Sequence, residues 1–153
     1  MTNTHTPQNK YLTVNGLTLH YLDWGGDSPN VVLLVPGIGG NAHNWTPFAR
    51  RIYKDYRVLV LEQRGHGDSE HSREGYAATS FASDLHGFIS ALKIAPVDYV
   101  ASSLGARTAG ICRRGPARPG PAAPGGVRKN RARLPEKLAN AMDGRLRLTD
   151  SLS

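Results

Sequence analysis

Val31-Val32-Leu33-Leu34-Val35 is apolar at every position, and no other feature limits this chain's fold so strongly. A strand with one wet face alternates apolar and polar residues. An unbroken run must be covered on both faces, as inside a parallel sheet. Arg57–Leu61 and Val97–Val100 are two further buried runs. Each leads into a loop of glycine and turn formers and then into a helical stretch. Strand, loop and helix in repetition predict an α/β fold, a mostly parallel sheet with helices on both faces.

The loops are Pro36-Gly37-Ile38-Gly39-Gly40, followed by a short helix through Phe48 and Ile52, and Arg64-Gly65-His66-Gly67-Asp68-Ser69. Ser80 is the expected cap of the next helix, where Phe81, Leu85, Phe88, Ile89 and Leu92 recur along one face. Leu104–Gly110 reads as the opening of another helix. Upstream, Tyr11–Val14 and Leu17–Trp24 flank Asn15-Gly16, a strong hairpin signal, and the alternation of the second run suits a strand near a sheet edge. Residues 1–9 are polar and are expected to be disordered, so the partial domain is placed at 10–110.

At about residue 110 the pattern stops. Between Gly115 and Gly126, eight of twelve residues are Gly or Pro, which rules out helix and sheet interiors. Ala, Arg, Pro and Gly supply 24 of the 43 positions in 111–153, and all eleven aromatics precede them. The net charge of +7 belongs wholly to this tail, which has ten basic and three acidic residues against nine of each before it. Composition, charge and lost periodicity together are what a GC-rich gene read in a shifted frame would produce. The tail is therefore expected to be irregular or disordered and non-native, through a frameshift or a truncation followed by unrelated sequence, with one small stripe at Leu134, Leu138 and Met142. The run Arg128-Lys129-Asn130-Arg131-Ala132-Arg133 would attract nucleic acid only non-specifically.

Cys112 is the only cysteine, so no intrachain disulfide forms. The first ten residues lack the apolar core of a signal peptide, and no run is long enough for a membrane span. The expected compartment is the cytoplasm. No His/Cys cluster has metal-ligand spacing, and no cofactor is implied. The Gly37–Gly40 loop lacks the Lys-Ser/Thr ending of a phosphate loop.

The chemistry lies in Ala101-Ser102-Ser103-Leu104-Gly105. A nucleophile elbow sets a serine on a sharp strand-to-helix turn whose flanks, two residues away, must be small. Ala101 and Gly105 meet that need around Ser103, with a buried strand before and a helix after.

With these motifs in order, residues 10–110 resemble the N-terminal half of an α/β-hydrolase of the family that includes esterases, lactonases and carbon–carbon bond hydrolases. The matching features are the hairpin, the Pro36-Gly37 loop, the Glu62-Gln63-Arg64-Gly65-His66-Gly67-Asp68-Ser69 loop and the elbow. The resemblance implies Ser103 as nucleophile toward a small acyl substrate, with the backbone N–H groups of Ile38 and Leu104 as oxyanion hole. It also implies that the loop holding His66 and Asp68 is structural. A serine at 103 counts against haloalkane dehalogenase or epoxide hydrolase chemistry, which uses a carboxylate in this fold. Glu62 stands where aspartate is usual and is given no function.

The triad order of this fold is Ser, then an acid, then His. Here all six histidines (His5, His20, His43, His66, His71, His86) precede Ser103. Asp143 and Asp150 follow it with no histidine to orient. His43 is expected in a solvent-exposed loop, His86 half-facing solvent, and His66 as a poor substitute base. The implied protein is a serine hydrolase that has lost its C-terminal half and its activity. Its Val97–Val100 edge is expected to lie open, so that the fragment self-associates. Two alternatives stand: a non-catalytic binding protein that uses the basic tail, or a hydrolase completed in trans by a second chain.

Overall fold

The computed structural model describes residues 5–114 and 150–152. Asn15 and Gly16 adopt φ of 50° and 77°, the left-handed pair that a two-residue type I′ turn requires. Strand β1 (Gln8–Val14) therefore folds straight back on β2 (Leu17–Asp23), with Val14 opposite Leu17. Then follow β3 (Val31–Val35), a 3-10 turn (Ala42–Trp45), α1 (Thr46–Ile52), β4 (Arg57–Leu61), α2 (Ala78–Leu92), β5 (Val97–Ala101), α3 (Leu104–Arg114) and β6 (Asp150–Leu152).

The strand order is β1-β2-β4-β3-β5-β6. The pairs β4/β3 and β3/β5 are parallel, while β1/β2, β2/β4 and β5/β6 are antiparallel. The parallel centre expected from the apolar runs is thus flanked by antiparallel strands, giving a mixed sheet. Period-2 alternation divides each central strand between two cores. Val31, Leu33, Val35, Leu59, Leu61, Val97, Tyr99 and Ala101 face α2 through Leu85, Phe88 and Ile89, with Ala106, Ala109 and Cys112 of α3 packed against them. Val32, Leu34, Val58, Val60 and Val100 face α1 through Ala49 and Ile52. Helices cover both faces, which is why β3 carries no polar residue.

Several sequence expectations are corrected. The ordered part starts before Lys10: β1 begins at Gln8, and the His5 ring stacks on Tyr53 at 4.5 Å. Ser80 does not cap α2. The helix starts at Ala78 after an extended Ala77, and Ser80 N–H donates to the Ala77 carbonyl inside its first turn. Helix α3 runs past Gly110 to Arg114, so the irregular tail cannot begin at residue 111. The far edge of β5 is not wholly open, because β6 pairs with Val97–Tyr99. Three residues suffice to satisfy backbone groups that the apolar pattern alone left unmatched. The stripe at Leu134, Leu138 and Met142 and the basic run at 128–133 lie outside the described residues.

Candidate active site at the carboxyl ends of β3, β4 and β5

Chain direction locates the site. After β3 the chain moves by α1 to β4 on one side, and α2 then carries it across to β5 on the other. Loops leaving neighbouring strands toward opposite faces open a crevice at the carboxyl ends of those strands. Here the crevice lies between β3 and β5, and the Pro36–Gly40 loop meets Ser103 there. Ser102 N–H donates to the Val35 carbonyl at 3.3 Å. A Cβ on Gly37 would lie 3.0 Å from the Ser103 Cβ and 3.1 Å from the Ser102 Oγ, so a larger residue there would have to push the loop and the turn a few tenths of an ångström apart.

Ser103 has φ of 47°, a left-handed conformation strained for a residue with a side chain. It is exposed and follows directly on β5, with α3 starting at the next residue. Gly105 N–H donates to the Ser102 carbonyl at 2.9 Å and Arg107 N–H to the Ser103 carbonyl at 3.1 Å. A Cβ on Gly105 would sit 2.7 Å from the Val35 carbonyl oxygen, and Ala101 is buried beside the same strand end. Backbone contact therefore demands glycine at 105. Beneath it the Tyr99 hydroxyl donates to the Gly105 carbonyl at 2.8 Å. Burial, reinforced by the nearby Cys112 thiol, pushes the Tyr99 phenol well above its ordinary range. Burial alone raises Cys112.

The structure brings Gly37, Ala101, Ser103, Leu104 and Gly105 together at this crevice. Ile38 sits on the loop lip with its side chain 76% exposed. Leu104 is the first residue of α3, where a backbone N–H has no intrahelical acceptor. Among the described residues no hydrogen bond joins the Ser103 hydroxyl to a histidine. His66 is half-buried and its Nδ1 lies 2.9 Å from the Arg64 carbonyl, an acceptor that requires the proton on Nδ1. His43 and His86 are exposed.

Sequence reasoning missed the groups that hold the crevice. Glu62, 2% exposed, accepts from Ala42 N–H at 2.6 Å, from Asp68 N–H at 2.7 Å and from His20 Nδ1 at 2.8 Å. One carboxylate thus joins the segment after the Pro36–Gly40 loop to its own loop and to β2. Gly67 lies so close that any Cβ there would collide with the Glu62 carboxylate. Arg64 forks onto Asp84, Nε to Oδ2 at 2.6 Å and a terminal N–H to Oδ1 at 2.7 Å, and donates to the Gly75 carbonyl. That hydrogen bond with Asp84 holds the guanidinium above its ordinary value. Gln63 and Thr108 meet across the crevice at 2.8 Å. The sequence marked Glu62, Gln63 and Arg64 only as positions of one loop motif and gave no sign of their partners. The side-chain pairs Arg64–Asp84 and Gln63–Thr108 join residues 20 and 45 positions apart.

His20, Glu62 and Asp68 have ligand-type atoms within 4.8 Å of one another. Both Glu62 oxygens and both His20 nitrogens are already engaged, the second His20 nitrogen with Asn9 Oδ1 at 2.9 Å. The arrangement acts as a hydrogen-bonded brace. No described helix is long and apolar enough to cross a membrane.

Comparison with known proteins agrees with this architecture. A family model described as "alpha/beta hydrolase fold" matches residues 30–111. N-formylmaleamate deformylase of Pseudomonas putida is 33% identical over 99 residues, covering 64% of this chain and 37% of that protein. 2-(Acetamidomethylene)succinate hydrolase of Mesorhizobium japonicum is 30% identical over 101 residues, covering 66% of this chain and 36% of that one. Among solved structures, a bacterial membrane phospholipase A superposes with a TM-score of 0.66 at 28% identity, over 70% of this chain and 35% of that one. The chain thus spans little more than a third of the length of these relatives.

Proposed function

The chain belongs to the alpha/beta hydrolase fold family, and we propose that it carries the nucleophile half of a serine hydrolase acting on an ester, lactone or amide-type acyl bond. The left-handed Ser103 on the turn between β5 and α3 carries this reading. Its hydroxyl would attack the carbonyl carbon, forming a C–O bond while the carbonyl electron pair moves to oxygen. The N–H groups of Ile38 and Leu104 would stabilise that oxyanion. The relatives named above support an acyl substrate, since one is a deformylase and another hydrolyses an acetamido compound. No metal or cofactor is needed for this chemistry.

A serine hydroxyl needs a base to take its proton, and no histidine follows Ser103. The 153-residue chain should therefore not turn over substrate by itself. The test is a chimera in which residues 1–112 are joined to the C-terminal part of an active relative. We expect burst-phase hydrolysis of p-nitrophenyl acetate by the chimera, its loss in Ser103→Ala, and no burst from the 153-residue chain. A folded chimera with the same rate in Ser103→Ala would refute the nucleophile. A burst from the chain alone would refute its inactivity.

A further inference from the structure

We propose that Gln63 and Thr108 form a positioning clasp that sets the spacing between the two backbone donors of the crevice. The inference rests on the oxyanion-hole reading of Ile38 and Leu104 given above. Three chain segments converge here, one from each parallel strand, and side chains must tie their loops together. Gln63, 5% exposed, stands at the end of β4. Its Nε2 donates to the Pro36 carbonyl over a long 3.5 Å, and its Oε1 accepts from the Thr108 hydroxyl at 2.8 Å. Thr108, 1% exposed, lies one turn into α3, and its Oγ1 is also 3.0 Å from the Leu104 carbonyl.

Proton accounting orders the clasp. The Pro36 carbonyl can only accept, so the amide end of Gln63 must face it and the carbonyl end must face Thr108. The Thr108 hydroxyl has one proton, shared between Gln63 Oε1 and the Leu104 carbonyl. A carboxamide carries donor and acceptor on one rigid end, which suits a site between an acceptor and a hydroxyl. A carboxylate there would set oxygen against the Pro36 carbonyl, and an apolar chain would hold neither side. The path from Pro36 through Gln63 and Thr108 ends at the Leu104 carbonyl, and so joins the loop two positions before Ile38 to the residue that supplies the other donor. An oxyanion hole works through donors fixed before reaction. Misplacing them by about 1 Å can cost on the order of a hundredfold in rate. Neither residue touches the reacting atoms.

Amide hydrogen exchange by NMR on the full 153-residue chain tests the clasp without requiring activity. Gly40 N–H, which donates to the Gly37 carbonyl at 3.1 Å, reports on the loop. Thr108→Val keeps the shape and removes the hydroxyl. It should speed Gly40 exchange about two- to tenfold, the effect of one net hydrogen bond, with β1 and β2 amides unchanged. Thr108→Ser should restore the wild-type rate, and Gln63→Met should match Thr108→Val with no further gain in the double variant. Unchanged Gly40 exchange in Thr108→Val, or acceleration spread evenly over the sheet, would overturn the clasp. In the chimera the two variants should lower kcat with KM unchanged. An inactive chimera would count against the Ser103 reading and leave the exchange result to decide the clasp by itself.

Discussion

Two loop systems at the same sheet edge are built in opposite ways. In the loop after β4, charged and polar side chains are buried and matched: Glu62 to three donors, Arg64 to Asp84 and Gly75, and the Ser69 hydroxyl to the Glu62 carbonyl at 2.6 Å. In the crevice beside it, Ser103 is exposed in a strained backbone state and Ile38 projects into solvent. The first system matches its polar groups with one another, and the second leaves the Ser103 hydroxyl exposed at its surface. A satisfied buried network is rigid and costly to break. A left-handed residue with a side chain stores backbone strain, and such strain concentrates at functional sites.

The contrast can be broken most forcefully at the ion pair. Asp84→Ala leaves the buried Arg64 guanidinium without its carboxylate and removes one of the two acceptors of the Asn15 amide, the other being the Ser83 hydroxyl. We expect a loss of about 3–5 kcal/mol in urea unfolding, and a loss below about 1 kcal/mol would show the pair to be solvated. Glu62→Gln keeps the volume but gives up half of the carboxylate's accepting capacity toward Ala42, Asp68 and His20. The expected cost is roughly 2 kcal/mol, read from the same transition.

Substitution at Ser103 should run the other way. Ser103→Gly relieves the positive φ and is expected to stabilise the chain by about 1 kcal/mol, while abolishing the burst in the chimera. Destabilisation would mean that the Ser103 side chain is itself part of the packing.

The smallest effect tests the hairpin flank. Burial works to raise the Asp23 carboxyl, but the Lys10 bond at 2.7 Å, the Gly25 N–H and the charge of Arg57 together hold it below the ordinary 3.8. A depressed carboxyl pKa stabilises the fold above its unfolded value and loses that contribution as pH falls through the folded one. Stability should therefore decline below about pH 3.8, with Asp23→Asn showing a shallower decline. Equal slopes in the two proteins would remove Asp23 from the acid response.

Much of the framework was legible because it depends on local pattern. Val31–Val35 and Arg57–Leu61 match the observed strands end to end, and Asn15-Gly16 forms the predicted turn. The sharp turn between β5 and α3 was legible because such a turn compresses its steric requirements into five consecutive residues, Ala101 to Gly105. Glu62 was passed over because a glutamate for aspartate exchange says nothing about burial. The pairing of Gln63 with Thr108 was invisible for a plainer reason: nothing local relates them, and their hydrogen bond spans 45 positions.

Up to residue 110 the sequence by itself determined most of the strands and helices, where the chain must turn, and that Ser103 lies on the turn between β5 and α3. Those follow from side-chain periodicity, glycine's access to positive φ, and the small residues a sharp turn admits. Only the tertiary structure decided that the three loops share one crevice, that Glu62 braces it, and that β6 lies along β5. Such pairings depend on strand order and crossover direction, which bring together groups that no local pattern relates.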